Sequence, residues 1–180
     1  ALSTGTPVFG SCWGLQVITV AAGGQVRRNP AGREIGFGRG IRLTDAGRKH
    51  PMYVGKVDVF NAPTVHLDDV ESVAPGTTIL ATNAVSAVQS AEIRTNGSVA
   101  WAVQYHPEYP LRELAAIVRR IGTGLIAEGF FENEADVTGF AQDLDALDRD
   151  PACKRLSWRH GVSSNVLDKK RRTSEVANWI

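Results

Sequence analysis

Gly10-Ser11-Cys12-Trp13-Gly14 joins two segments with different geometric requirements. Before it, Pro7-Val8-Phe9 is a short apolar run of the kind that forms a buried strand. After it, Leu15 to Ala22 reads as a short helix stopped by Gly23-Gly24. A chain that passes from strand to helix over so few residues must turn sharply, and the flanking glycines give that turn room. The expected product is a nucleophile elbow with Cys12 at its tip. Such a turn puts the sulfur at a helix N-terminus, where the dipole favours thiolate, and aims the Trp13 backbone N–H at any oxyanion formed beside it. An isolated cysteine here would read as a small buried core residue, but the paired glycines and the strand-to-helix context count against that. Cys153 lies at an acidic-to-basic junction with no elbow and reads as structural.

A thiol nucleophile needs a base, and the chain offers His50, His66, His106 and His160. Thr78 to Thr82, Ala87 to Arg94 and Val99 to Tyr105 are three β-rich runs, the last two joined by the hairpin signal Thr95-Asn96-Gly97-Ser98. Of the four histidines only His106 ends one of these strands, where Pro107 stops the ladder. Sites in open α/β sheets lie at the carboxyl edge, where an elbow also presents its nucleophile. Glu108 is then placed to accept the imidazole N–H and fix its tautomer, giving Cys12, His106 and Glu108 as nucleophile, base and orienting acid. His-Pro-Glu alone is a weak signal; the elbow upstream makes the combination specific.

With these residues in hand, the chain resembles the class I, triad-type glutamine amidotransferases, especially the GMP synthase amidotransferase domain and its stand-alone relatives. The resemblance rests on Pro7 to Gln16, Gly23-Gly24, Glu34-Ile35-Gly36, His66-Leu67-Asp68-Asp69-Val70 and Val103-Gln104-Tyr105-His106-Pro107-Glu108, in the family's order. It implies a flavodoxin-like, three-layer α/β fold with a mostly parallel sheet. It implies that Cys12 attacks the side-chain amide of glutamine, with Trp13 as oxyanion donor, giving a γ-glutamyl thioester, glutamate and ammonia. Gln16 would then hold the amino-acid end of the substrate, with the backbone at Val65 and His66 lining the pocket. Family members carry a substantial portion of the sheet and a glycine-rich oxyanion loop before the elbow, whereas eleven residues precede Cys12 here. The expectation is therefore an N-terminally truncated domain over 1–128 with a helical C-terminal extension over 129–180. No Gly-rich phosphate loop is read after Glu108, so ammonia is expected to pass to a separate acceptor synthetase or to be lost, as in a glutaminase. The alternatives are another Cys-His hydrolase of this fold, such as a γ-glutamyl hydrolase or peptidase relative, and a non-catalytic, partner-binding remnant.

Around these motifs the chain is ordinary in composition. Its 180 residues carry 20 Lys+Arg against 19 Asp+Glu, which gives no global field toward nucleic acid or a membrane surface. No apolar run approaches the length of a membrane span. Two cysteines are too few for a disulfide framework, so a reducing cytoplasm is the default setting. No cofactor is implied, because thiol, imidazole and oxyanion donors suffice for amide cleavage. His66-x-Asp68 lacks the further ligands a metal site needs, so no metal is expected. Glu34-Ile35-Gly36 reads as a site-edge loop or a turn. Gln25 to Leu43 suggests short antiparallel strands or loops, and Val57 to Phe60 and Thr64 to His66 read as separate strand pieces. Leu111, Leu114, Ala115, Ile117, Val118, Ile121, Leu125 and Ile126 recur at helical spacing, and a second helix is expected from Asn133 toward Asp148. Residues 126–150 hold eight acids and one arginine, whereas 151–180 hold seven bases and two acids. Mutual attraction of these segments is the expected role of the Lys169-Lys170-Arg171-Arg172 run.

Overall fold

A computed structural model describes residues 4–180. Six strands form one sheet: β1 (Val8–Ser11), β3 (Glu34–Leu43), β4 (Val59–His66), β6 (Thr77–Thr82), β7 (Ser90–Thr95) and β8 (Ser98–Val103). Their order is β1-β8-β7-β6-β3-β4. A separate two-stranded sheet pairs β2 (Gln25–Arg28) with β5 (Asp68–Ser72). The main helices are α1 (Trp13–Ala21), α3 (Leu111–Ala127) and α4 (Glu134–Arg149); α2 (Asp45–Lys49) is a short turn of helix. The tail folds into α5 (Lys154–Arg159), α6 (Ser164–Leu167), α7 (Lys169–Arg172) and α8 (Ser174–Trp179).

Mixed α/β architecture is as expected, but the expectation of a mostly parallel sheet is met only at β1–β8, and the other pairings are antiparallel. The connections explain this. Parallel neighbours need a crossover, whereas β7 and β8 are joined by the tight turn at Asn96-Gly97, both at positive φ. β1 reaches its parallel partner only because the intervening chain between β1 and β8 returns to lie beside it.

Alternation along β8 covers both faces of the sheet. Ala100 and Ala102 join a cluster with Leu15 and Ile18 of α1. Val103, with Trp101 packed alongside, belongs to a second cluster with Leu43, Met52, Phe60 and Leu80. A third cluster unites Leu111, Leu114, Val118 and Leu125 of α3 with Val137, Ala141, Leu144 and Leu147 of α4 and with Leu156 and Val166 of the tail. The helical spacings read from the sequence are thus the buried faces.

Three local readings change. β4 is continuous through Asn61-Ala62-Pro63, because it is a sheet edge and Pro63 need not donate. Glu34-Ile35-Gly36 opens a strand and is not a loop. The acids of α4 turn mainly to α3: Arg112 meets Asp148 at 3.0 Å and Arg119 meets Asp145 at 2.5 Å. From the tail, only Arg159 and His160 reach an α4 acid, Asp143, within ion-pair distance among the described residues. The packing of α3 on α4 puts arginines one turn-pair apart opposite those aspartates, so the basic run at Lys169–Arg172 does not take them. No helix among the described residues is long and apolar enough to cross a membrane.

Candidate active site

The parallel pairing of β1 and β8 sets the site. Ser11 lies opposite Val103 in register, so Cys12 and His106 both emerge just past the carboxyl ends of neighbouring strands. The Cys12 N–H donates to the Val103 carbonyl at 2.7 Å, and the chain turns there with Cys12 at φ 51°, ψ −102°. A β-carbon disfavours this left-handed region, so the elbow carries local strain. The room for it is one-sided. A β-carbon on Gly10 would fall 2.6 Å from Ile18 Cδ1 and 2.8 Å from the Gly14 carbonyl carbon, whereas one on Gly14 meets nothing within 4 Å.

The sulfur contacts the Val65 carbonyl at 3.6 Å and accepts from Gln104 Nε2 at 3.5 Å. Burial pushes the thiol up to about 11, with Glu108 adding to the rise, while the Trp13 N–H and Gln104 oppose it. The expected bias toward thiolate from the helix terminus is therefore present but outweighed by desolvation. At neutral pH the resting group is a thiol and needs a base.

His106 lines the same cleft as Cys12. It is only 7% exposed, its backbone N–H donates to the Pro63 carbonyl at 2.8 Å, and its ring stacks on Tyr109 at 3.9 Å with planes 4° apart. Nδ1 lies 2.7 Å from Glu108 Oε1. A carboxylate can only accept, so the proton sits on Nδ1 and Nε2 is left as the basic nitrogen. Ser11 Oγ stands 3.0 Å from both Glu108 oxygens. Burial works against charge on Glu108, yet the His106 ring and the Ser11 hydroxyl together hold its carboxyl below the ordinary value.

Gln16 and His66 are both buried. Gln16 Nε2 donates to the Asp68 carbonyl at 2.9 Å and to Gln104 Oε1 at 3.3 Å, and Gln104 in turn donates to the sulfur. His66 Nε2 meets Glu34 Oε2 at 2.9 Å and its Nδ1 meets the Asp68 carbonyl oxygen at 3.0 Å. Gln89 and Asn83 also donate to Glu34. Both nitrogens of His66 are thus engaged, and among the described residues no group of three or more His, Cys, Asp or Glu is gathered as a metal site would need.

Cys12, Trp13, Val65, His106 and Glu108 line one open cleft of about 530 Å³, together with Arg33 and Arg120. The two arginines were not singled out from sequence. Arg33 is held by a two-pronged pair to Glu128 at 2.7 and 2.9 Å, and Arg120 rises from the middle of α3. Only the position of Arg33 beside Glu34-Ile35-Gly36 hinted at it.

Comparisons with known proteins bear on the family and the fold. The family model described as Glutamine amidotransferase class-I matches residues 1–121. Among curated proteins, the chain is 32% identical to a gamma-glutamyl-L-1-hydroxyisopropylamide hydrolase from a Pseudomonas species, over 100% of this chain and 62% of that protein. It is 33% identical to a glutamine-hydrolyzing GMP synthase from Symbiobacterium thermophilum, over 58% of this chain and 19% of that one. A glutamine amidotransferase structure from Thermotoga maritima superposes with TM-score 0.62 at 16% identity, covering 94% of this chain and 61% of the other. The chain thus spans less than two thirds of the length of these relatives.

Proposed function

Because this chain belongs to the class I glutamine amidotransferases, we propose that it hydrolyses the side-chain amide of glutamine through Cys12, His106 and Glu108. Cys12 Sγ attacks the γ-carbonyl carbon while His106 Nε2 takes the thiol proton. The carbon–nitrogen bond breaks as His106 returns that proton to the leaving nitrogen, so ammonia departs and a γ-glutamyl thioester remains. Water, deprotonated by the same nitrogen, then attacks the thioester; the carbon–sulfur bond breaks, the sulfur regains a proton, and glutamate leaves. Glu108 holds the imidazole and balances its transient charge, with the Trp13 N–H as the oxyanion donor. Gln16 acts in this reading by fixing Gln104 against the sulfur, and the Val65 and His66 backbone shapes the glutamine pocket. Ammonia passes to an acceptor synthetase, a role suggested by the likeness to GMP synthase. Two free cysteines fit a reducing, cytoplasmic setting.

The observation that carries this reading is the His106–Glu108 contact at 2.7 Å beside a cysteine held at positive φ in one cleft. A second reading, hydrolysis of N-substituted γ-glutamyl amides, draws on the relative whose match extends over the whole chain, tail included. Ammonia release from glutamine and amine release from γ-glutamyl isopropylamide, each with Cys12→Ala beside the unaltered chain, test both. Loss of both activities in Cys12→Ala is expected; a variant that still cleaves either amide overturns the mechanism, and the preferred amide decides between the readings.

A further inference from the structure

Arg172 is 8% exposed, and among the described residues it has no ion-pair partner. Its Nη1 donates to the Val166 carbonyl at 2.8 Å, while Nε is enclosed with no partner at all. Taking a cation out of water is costly unless an anion faces it. Asp148 and Asp168 attract Arg172 from a distance, and Arg112 opposes them.

The side chain borders a cavity of about 340 Å³ whose walls include Lys169 from α7 and Pro110, Leu111 and Arg112 from the start of α3. α3 has 17 residues, and Pro110 at its N-cap supplies no side-chain hydrogen bond. First-turn N–H groups of a helix have no intrahelical acceptor and carry the positive end of the dipole. Arg112, Lys169 and Arg172 face this space against two carboxylates, Glu108 and Asp148, and Asp148 is already held by Arg112 at 3.0 Å. A buried guanidinium with no ion-pair partner, a second, exposed cation and a helix start with no side-chain cap border one space, although Glu113 in the first turn and the Pro110 carbonyl already meet part of that terminus.

We propose that this cavity binds a small oxyanion, a phosphate or carboxylate group, between Arg172, Lys169 and the N-terminus of α3. Arg172, its Nη1 held by the Val166 carbonyl and its Nε enclosed, supplies positive charge at the wall, Lys169 the mobile charge, and the α3 backbone the N–H donors. Leu111 and Leu147 line the same space, so a ligand with a short apolar stem is accommodated. Glu108 borders both this cavity and the cleft at Cys12, whereas Cys12 and His106 line only the latter; the test reads binding, not amide hydrolysis, and so stands apart from the proposed reaction.

The test is thermal unfolding and titration calorimetry of the whole chain with inorganic phosphate and with succinate, each against potassium chloride at matched ionic strength. Phosphate or succinate is expected to raise Tm with concentration beyond the chloride control. The Kd is expected to weaken about tenfold or more in Lys169→Ala and in Arg172→Met, as loss of a charge-assisted contact predicts. Lys169 is exposed, so its variant keeps the test decisive even where Arg172→Met does not fold. A response to phosphate alone assigns a phosphoryl ligand, and one to succinate alone a carboxylate. A rise equal to that in chloride, or one undiminished in Lys169→Ala, overturns the proposal.

Discussion

Cys12 stands under two opposed influences, a helix terminus that favours its anion and a burial that forbids it, and burial prevails. On the proposed mechanism, reactivity then depends on proton removal by His106 in the act of attack. In the unaltered chain, iodoacetamide labels Cys12 at neutral pH; in His106→Ala, labelling at pH 7 becomes slow and its rate keeps climbing past pH 10, because the thiol loses its proton only near 11. A plateau below pH 9 in that variant contradicts this account. Ser11 presents a finer case. Its hydroxyl donates to Glu108, so Ser11→Ala is expected to lower kcat about tenfold while KM holds, as loss of one hydrogen bond to a charged group predicts. Steady-state kinetics separates the two parameters. The elbow at Cys12, the strand end before His106 and the His106–Glu108 contact were legible in the sequence because each is a local pattern. The contacts of Ser11, Gln104 and Arg33 were not, because they cross the fold and no local pattern encodes them.

At the level of elements, the strand-to-helix turn was read correctly but its glycines were treated as equals. Gly10→Ala is expected to destabilise the chain by about 1–3 kcal/mol, since its β-carbon meets Ile18 and the Gly14 backbone at distances no side chain tolerates. Gly14→Ala has open space in the first turn of α1 and is expected to be neutral or to stabilise by up to about 1 kcal/mol. Urea unfolding of both variants checks the sign. Where apolar periodicity governs an element, as in α3, the sequence located it well; where pairing governs, it did not. β5, Asp68-Asp69-Val70-Glu71-Ser72, has no strand-like pattern. It is extended because it lies antiparallel to β2, where Arg28 sits opposite Asp68, and Arg27 sits opposite Asp69 and reaches Glu71 at 3.1 Å. Cross-strand charge pairing of this kind becomes visible only once the partner strand is known.

Across the whole molecule, the tail is tied into the catalytic strand and does not hang from it. Trp179 packs between Phe9 and Trp101, and Asn178 donates to the Met52 and Val54 carbonyls. Glu175, fully buried, accepts from Lys56 at 2.9 Å and from the Tyr105 hydroxyl at 2.7 Å, one residue before His106. Burial pulls the Lys56 ammonium down from its ordinary value even with Glu175 beside it, so this pair is sustained by mutual neutralisation in a dry site. Glu175→Gln keeps an acceptor for Tyr105 but leaves Lys56 as an unmatched buried cation, and is expected to cost about 3–5 kcal/mol in urea unfolding. Lys56→Met combined with Glu175→Gln removes that charge and is expected to recover most of the loss. If packing alone joined tail and sheet, the double variant would instead be no more stable than the single one. Tryptophan fluorescence of a Trp13→Phe, Trp158→Phe chain, which reports Trp101 and Trp179, and far-ultraviolet dichroism, which reports the helices, are expected to give coincident transitions, because the same buried pair spans both parts.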